Sequence, residues 1–250
     1  MIPIGDSLRT RTIPYVNLAI IAVNLLVFFY ELSLHQTAGF FGGLSELDRF
    51  FLDWGTIPAC VADLTGLDPK VAPQTLDAVC ERSNNTLASP LTSMFMHAGW
   101  LHLLGNMLFL WIFGDNVEEG MGHLRYLIFY LVCGLGASMV HVLVNVDDLI
   151  PSIGASGAIA GVMGAYLVLY PRATVAVIFP FFLIFWAAHV PAVLLIGVWF
   201  LMQVFSGVAS IGGDVVGGGG VAFFAHIGGF VVGLLLVHLF RRRGPSLRPI

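Results

Sequence analysis

The sequence predicts an all-α fold, a polytopic membrane protein built as a bundle of six transmembrane helices, and three observations predict it. Of its 250 residues 58% are hydrophobic and only 10% charged, where soluble domains carry about 25% charged residues. Mean hydropathy is +0.90, more apolar surface than so few charges can shield from water. Hydropathy also rises in six separate runs, each near the ~20 residues that cross a hydrocarbon core.

The runs are 13–34, 92–113, 124–145, 151–170, 189–208 and 221–240. The first follows Arg9 and Arg11, is long for a signal-peptide core and lacks a small-residue cleavage site, so it reads as an uncleaved anchor. Residues 1–12 form a tail, 13–240 the membrane domain and 241–250 a second, basic tail. The loop 35–91 mixes apolar and acidic residues and is too long for a plain connection, which predicts short amphipathic pieces resting on the membrane face. Segment 173–188 is apolar but interrupted by Pro180, and is expected at the interface rather than across the bilayer. The glycine-rich stretch 212–220 reads equally as a moving cap over a site or as a simple linker.

Charge orients the bundle, because Lys and Arg collect on the cytoplasmic side. With the N-terminus inside, the inner flanks hold eight arginines against four carboxylates, and the outer flanks three cations against eleven carboxylates. A seventh span would carry Arg241, Arg242 and Arg243 outside, so both termini are expected in the cytoplasm. The formal net charge of -4 comes with no basic stripe, which disfavours nucleic acid as a partner.

Polar groups at hydrocarbon depth are costly and mark function. Ser156, in Gly154-Ala155-Ser156-Gly157, lies near the start of the fourth run; His226 opens the sixth; His102 and Asn106 open the second. All three runs point the same way, so the four residues share the outer leaflet. At 1.5 Å per residue, Ser156 and His226 would sit on the order of 10 Å below the outer boundary, within reach of water. A serine and a histidine suggest a nucleophile and its base, and an asparagine with a further histidine suggests donors for an oxyanion. His102 and Asn106, four apart, converge on one helical face. Gly157, Gly161 and Gly164 in the fourth run, with Gly229 and Gly233 in the sixth, form small-residue strips that let two backbones approach closely. A side chain as short as serine needs that approach to reach a histidine on a neighbouring helix.

These residues, Gly154-Ala155-Ser156-Gly157, Ala225-His226-Ile227-Gly228-Gly229 with Gly233, His102-Leu103-Leu104-Gly105-Asn106 and Phe113-Gly114-Asp115-Asn116-Val117-Glu118, resemble the rhomboid intramembrane serine proteases from about Leu91 to the end of the sixth run. The resemblance implies a rhomboid-like bundle with a Ser156–His226 catalytic dyad and no third carboxylate. It also implies an oxyanion site formed by Asn106, His102 and the Ser156 N–H, and transmembrane proteins as substrates, cut near the outer face. Many family members place an aromatic residue four after the nucleophile; here that residue is Ala160, so the orientation of His226 must come from other packing. The helix start at Ser156 adds a positive end, and Gly154 and Gly157 are expected to leave backbone room for the substrate.

Competing uses of the same residues remain. Each one alone also suits helix packing or interhelical hydrogen bonding, and the chain could be a catalytically inactive relative that binds membrane proteins. A small transporter would require an internal repeat, which the sequence does not display. No cofactor and no metal is expected, since the i+4 partner of His102 is an asparagine and no carboxylate accompanies His226. His97 is expected to give a supporting hydrogen bond, and His35, His123, His141, His189 and His238 to pack or lie at interfaces. Cys60 and Cys80 share the outer loop, where a disulfide forms if the compartment is oxidising; Cys133 lies inside the third run. The expected surroundings are a lipid bilayer, a bacterial plasma membrane for want of long extensions or an organelle-targeting segment.

Overall fold

The computed structural model describes residues 2–34, 43–83, 85–181, 184–211 and 222–242. A strand, β1 (Ile2–Asp6), precedes the long helix α1 (Tyr15–Ser33). Among the described residues, four short helices occupy the long loop after α1: α2 (Glu46–Trp54), α3 (Pro58–Leu64), α4 (Pro73–Cys80) and α5 (Ser89–Thr92). Then come α6 (Trp100–Met121), α7 (His123–Val144), α8 (Ser156–Leu169), the hairpin β2 (Thr174–Phe181) and β3 (Ile184–Pro191), α9 (Ala192–Ile211) and α10 (Phe223–Phe240).

Each expected span contains a helix, yet among the described residues four helices, α1, α7, α9 and α10, are long and apolar enough to cross a membrane by themselves. A fifth span arises if α6 is joined to the short helical segment Ser89–Phe95, from which it is bent by 92°. Gly99 separates the two, so α6 runs to Met121 rather than ending at 113. The fourth run yields only the 14-residue α8, about 21 Å at 1.5 Å per residue. Its first five residues are not helical, because Ser152 pairs with Thr56 and Gly154 N–H donates to Ser93 O at 2.8 Å. The depth of Ser156 therefore cannot be counted as helical rise from residue 151.

The chain is mostly helical, as expected of a membrane bundle, and to the helices the described residues add a three-stranded antiparallel sheet in the order β1-β2-β3. Segment 173–188 pairs with itself, Val177 opposite Ala188, and with the N-terminal tail, Ile2 opposite Ile178. β-branched residues recur through Thr174, Val175, Val177 and Ile178, and Val175 and Val177 are buried against the helices. The outward positions are apolar too, so no alternation of polar and apolar residues announces the strands.

Packing centres on α8, whose residues from Gly157 to Tyr166 are all buried. A helix apolar on every side is stable only when surrounded. Glycine sets its distance from α10: a Cβ on Gly229 would run into the Gly157 carbonyl oxygen, and one on Gly233 into the Gly161 backbone. Gly157 itself faces Ala137 of α7, so its role is helix packing and not room for a substrate.

Helix α1 is inverted relative to a soluble helix. Its buried face carries Asn17, Asn24 and Glu31 at seven-residue spacing, and Leu26, Phe29 and Tyr30 are exposed. Glu118 caps it from α6, accepting from Val16 N–H at 3.0 Å and Asn17 N–H at 2.7 Å, a carboxylate at the positive helix end. Helix α2 begins with a capping box between Ser45 and Asp48, worth about 1 kcal/mol. Helix α3 packs into the protein: Pro58 to Ala62 are buried, and Ala59 N–H donates to Asp148 O. Cys60 and Cys80 form a disulfide, and Cys133 is free and buried. Segment 212–220, His35, Asp214, Arg243 and Arg248 lie outside the described residues.

Candidate active site

Ser156 is the first residue of α8, where backbone N–H groups have no intrahelical acceptor. Gly154, two residues earlier, has φ +129°, a conformation that side-chain-bearing residues rarely adopt, and a Cβ there would stand 2.7 Å from His102 Nε2. This close approach is what glycine provides at 154: the His102 ring lies directly against the backbone leading into Ser156. His226 lies in the first turn of α10, its N–H bonded to Ala222 O at 3.3 Å. With α8 and α10 in backbone contact, Ser156 Oγ and His226 Nε2 are 2.7 Å apart.

The other imidazole nitrogen is also engaged. His226 Nδ1 is 2.8 Å from Gln203 Oε1, and the Trp199 ring lies 5.9 Å from the imidazole, tilted by 38°. Both come from α9, one helical turn apart. They supply the packing that Ala160, buried in α8, does not. Gln203 escapes the sequence reading, although a signal existed: it is the sole carboxamide in the apolar run of α9, and the rule that singles out Ser156 applies to it equally.

His102 and Asn106 follow one another along α6 and line the same cavity as Ser156 and His226. Asn106 is buried, and its Nδ2 finds no partner among the described residues. His97 contributes differently from expectation. Its backbone N–H, not its ring, makes the supporting bond, to the Glu31 carboxylate at 3.2 and 3.3 Å, while the ring meets His102 edge-on at 5.0 Å. Of the remaining histidines, His123 bonds Glu118 and packs on Tyr15, His141 bonds Asn145, and His189 is exposed on β3.

The cavity holds about 1050 Å³. Phe51 and Leu52 of α2 border it, with Trp100 and Phe109 of α6, Ile159 and Met163 of α8, and Trp199. Apolar walls with a few convergent polar atoms are the usual build of a ligand site. No group of three or more His, Cys, Asp or Glu among the described residues is arranged to hold a metal ion. The arrangement offers a hydroxyl bonded to an imidazole, an unpaired amide donor beside it and an apolar trough, the parts that acyl transfer requires.

Comparison with known proteins finds several relatives. The chain is 33% identical over 159 residues to Rhomboid-like protein 11, chloroplastic, of Arabidopsis thaliana, covering 61% of this chain and 52% of that protein. It is 32% identical over 186 residues to Rhomboid-like protease 5 of Toxoplasma gondii, 69% of this chain and 19% of that one. A third match, RHOMBOID-like protein 6, mitochondrial, of Arabidopsis thaliana, is 42% identical over 77 residues, 31% of this chain and 24% of the relative. The chain thus spans between a fifth and about half of these relatives' own length. Relatives named for chloroplasts and mitochondria lend no support to a bacterial plasma membrane; what stands is a membrane protein with several apolar helices. The Rhomboid domain model matches residues 84–243, well over half of the sequence and the whole of the segment that carries Ser156, His226, His102 and Asn106, and the chain belongs to the rhomboid family.

Proposed function

We propose that this protein is an intramembrane serine endopeptidase that cuts other membrane proteins in or beside a transmembrane segment, near the extracytoplasmic face. Ser156 is the nucleophile and His226 its base. The observation that carries the reading is the 2.7 Å contact between Ser156 Oγ and His226 Nε2 at the wall of an apolar cavity. A related protein named a protease, the Toxoplasma one, favours activity over a purely binding role.

Chemistry follows from the positions. Nε2 accepts the Ser156 proton as Oγ attacks a peptide carbonyl, then returns it to the departing amine; water reverses the sequence to release the acyl group. The oxyanion forms beside the Ser156 N–H at the positive end of α8, with Asn106 Nδ2 and His102 as further donors. Asn106 Nδ2 has no competing partner among the described residues, which leaves its amide to an oxygen that exists only during the reaction. A helical substrate hides its carbonyls in i to i+4 bonds, and small or helix-breaking residues at the cut lower the cost of exposing them. Both termini are cytoplasmic in this reading, and the cavity opens outward.

The test uses detergent-purified wild type and Ser156→Ala with a panel of single-span reporters. Wild type should cut some of them, and Ser156→Ala should lose activity by on the order of 10⁶-fold, as nucleophile removal does in soluble serine proteases. Equal cleavage by both proteins would refute the assignment.

A further inference from the structure

We propose that Gln203 is a positioning residue that holds His226 in its Nδ1–H tautomer, filling with a neutral carboxamide the place that a carboxylate takes in soluble Ser-His-Asp enzymes. The inference rests on the reading of Ser156 as nucleophile and His226 as base.

The hydrogen-bond chain is what fixes the tautomer. Neutral imidazole carries one proton, on one nitrogen only. Gln203 Oε1, 2.8 Å from Nδ1, accepts and does not donate, so the proton must sit on Nδ1. Nε2 is then a lone pair, 2.7 Å from Ser156 Oγ and oriented to take its proton. In the other tautomer Nε2 would carry the proton and could not act as base. The same bond becomes stronger when His226 turns into an imidazolium, since both ring nitrogens then donate and Nδ1–H gains charge. Gln203 therefore favours the charged form that develops during attack.

Helix α9 is built to deliver this group. Leu195, Trp199, Gln203 and Gly207 recur at four-residue spacing, and Gly207 lies 3.4 Å, at its would-be Cβ, from Phe223 and Ile227 of α10. That stripe faces α10, while Leu201, Phe205 and Val208 on the remaining surface are exposed. Gln203 is thus on the contact seam and not on the lipid side, and Trp199 holds the ring one turn away. A charged carboxylate would be costly at this depth. The carboxamide supplies the same acceptor oxygen without an ionic charge, which explains how His226 is oriented although no Asp or Glu among the described residues accompanies it.

The experiment compares wild type, Gln203→Met, Gln203→Glu and Ser156→Ala, with kcat and KM for a single-span reporter measured across pH. Methionine keeps the length of the side chain and removes the strong acceptor. Gln203→Met should lower kcat by about 10- to 100-fold with KM little changed, a part of the 10²–10⁴-fold that general acid–base catalysis supplies. Gln203→Glu should recover most of kcat and move the acid limb of the profile to higher pH, because a carboxylate at Nδ1 favours the imidazolium. Nitrogen NMR of ¹⁵N-histidine wild type, with His226 assigned by a His226→Gln control, should display a protonated Nδ1. Wild-type kcat in Gln203→Met, equal loss in both variants with an unmoved acid limb, or a protonated Nε2 in the wild type would each overturn the proposal. Activity in Ser156→Ala would instead remove the nucleophile reading on which it stands, whereas an inactive Ser156→Ala beside a fully active Gln203→Met refutes the role of Gln203 alone.

Discussion

The bundle has two polar ends, and they are built to opposite specifications. At one end Asp6 accepts from Tyr166 OH and from Asn116 Nδ2, Tyr170 OH donates to Asn116 O, and Glu118 holds the start of α1 and His123. Tyr126 OH donates to Asn17 at 2.8 Å, over Gly114, where a Cβ would intrude on that pair. Most groups there are bonded to another part of the chain, although Asn116 Oδ1 finds no partner among the described residues. At the other end Ser156, His226, His102 and Asn106 border about 1050 Å³ of open cavity, and Asn106 Nδ2 has no partner among the described residues. An unsatisfied buried donor costs about 1–3 kcal/mol, so it persists where something other than stability requires it. Polarity in this bundle thus has two uses: the network around Asp6 and Glu118 fastens elements together, and the donor left open at Asn106 is the one the proposed reaction would use.

The largest expected effect comes from prying the two central helices apart. Gly229→Val forces a side chain into the Gly157 carbonyl. Overpacking of this kind costs about 1–3 kcal/mol, and the loss of the Ser156–His226 contact should abolish reporter cleavage while the helical circular dichroism persists. If cleavage survives, close approach of α8 and α10 is not what assembles the open end. A smaller effect belongs to Asn106→Ala: kcat should fall by about 10²–10³-fold with thermal stability unchanged or raised, since an unpaired donor is removed. A drop in stability without a drop in kcat would mean that this end, too, is structural.

The smallest effect tests the saturated end. Burial raises the Asp6 carboxyl above its ordinary value, against the lowering influence of the Tyr166 hydrogen bond. A carboxyl raised in the folded state contributes stability that is complete below the unfolded value of 3.8 and is lost as pH rises through the folded one. Asp6→Asn does not titrate, so its Tm relative to wild type should improve between pH 4 and pH 7. A constant difference across that range would show that Asp6 keeps its ordinary affinity for protons.

Much of the open end was legible in the sequence because its signals are local. Glycines at four-residue spacing announce the backbone contact that brings Ser156 to His226, and His102 with Asn106 read as one helical face without any knowledge of neighbours. Gln203 was equally visible as a lone carboxamide in an apolar run, but its role depends on which helix stands opposite, and spacing within α9 does not tell that. The saturated end was harder. Asn17, Asn24 and Glu31 are diluted in α1 by a mean hydropathy that reports length and composition rather than facing. The sheet was hidden because both faces of β2 are apolar, which a hydropathy window cannot separate from a failed span. The start of α8 was misread by five residues for a related reason: Pro151, Ile153 and Gly154 count as apolar whether or not they are helical, and the pairing that keeps them extended comes from Thr56, nearly a hundred residues earlier.

The inverted face of α1 has a consequence for biosynthesis. Its acceptors and donors find partners far downstream, Glu31 at His97 and the Val16 and Asn17 amides at Glu118. Synthesis reaches α1 before either partner, so a first helix that met lipid on its own would turn a carboxylate and two carboxamides toward oil. That helix waits, poorly solvated, until α6 emerges to claim it, so the order in which the spans leave the translocon becomes part of how the bundle is closed.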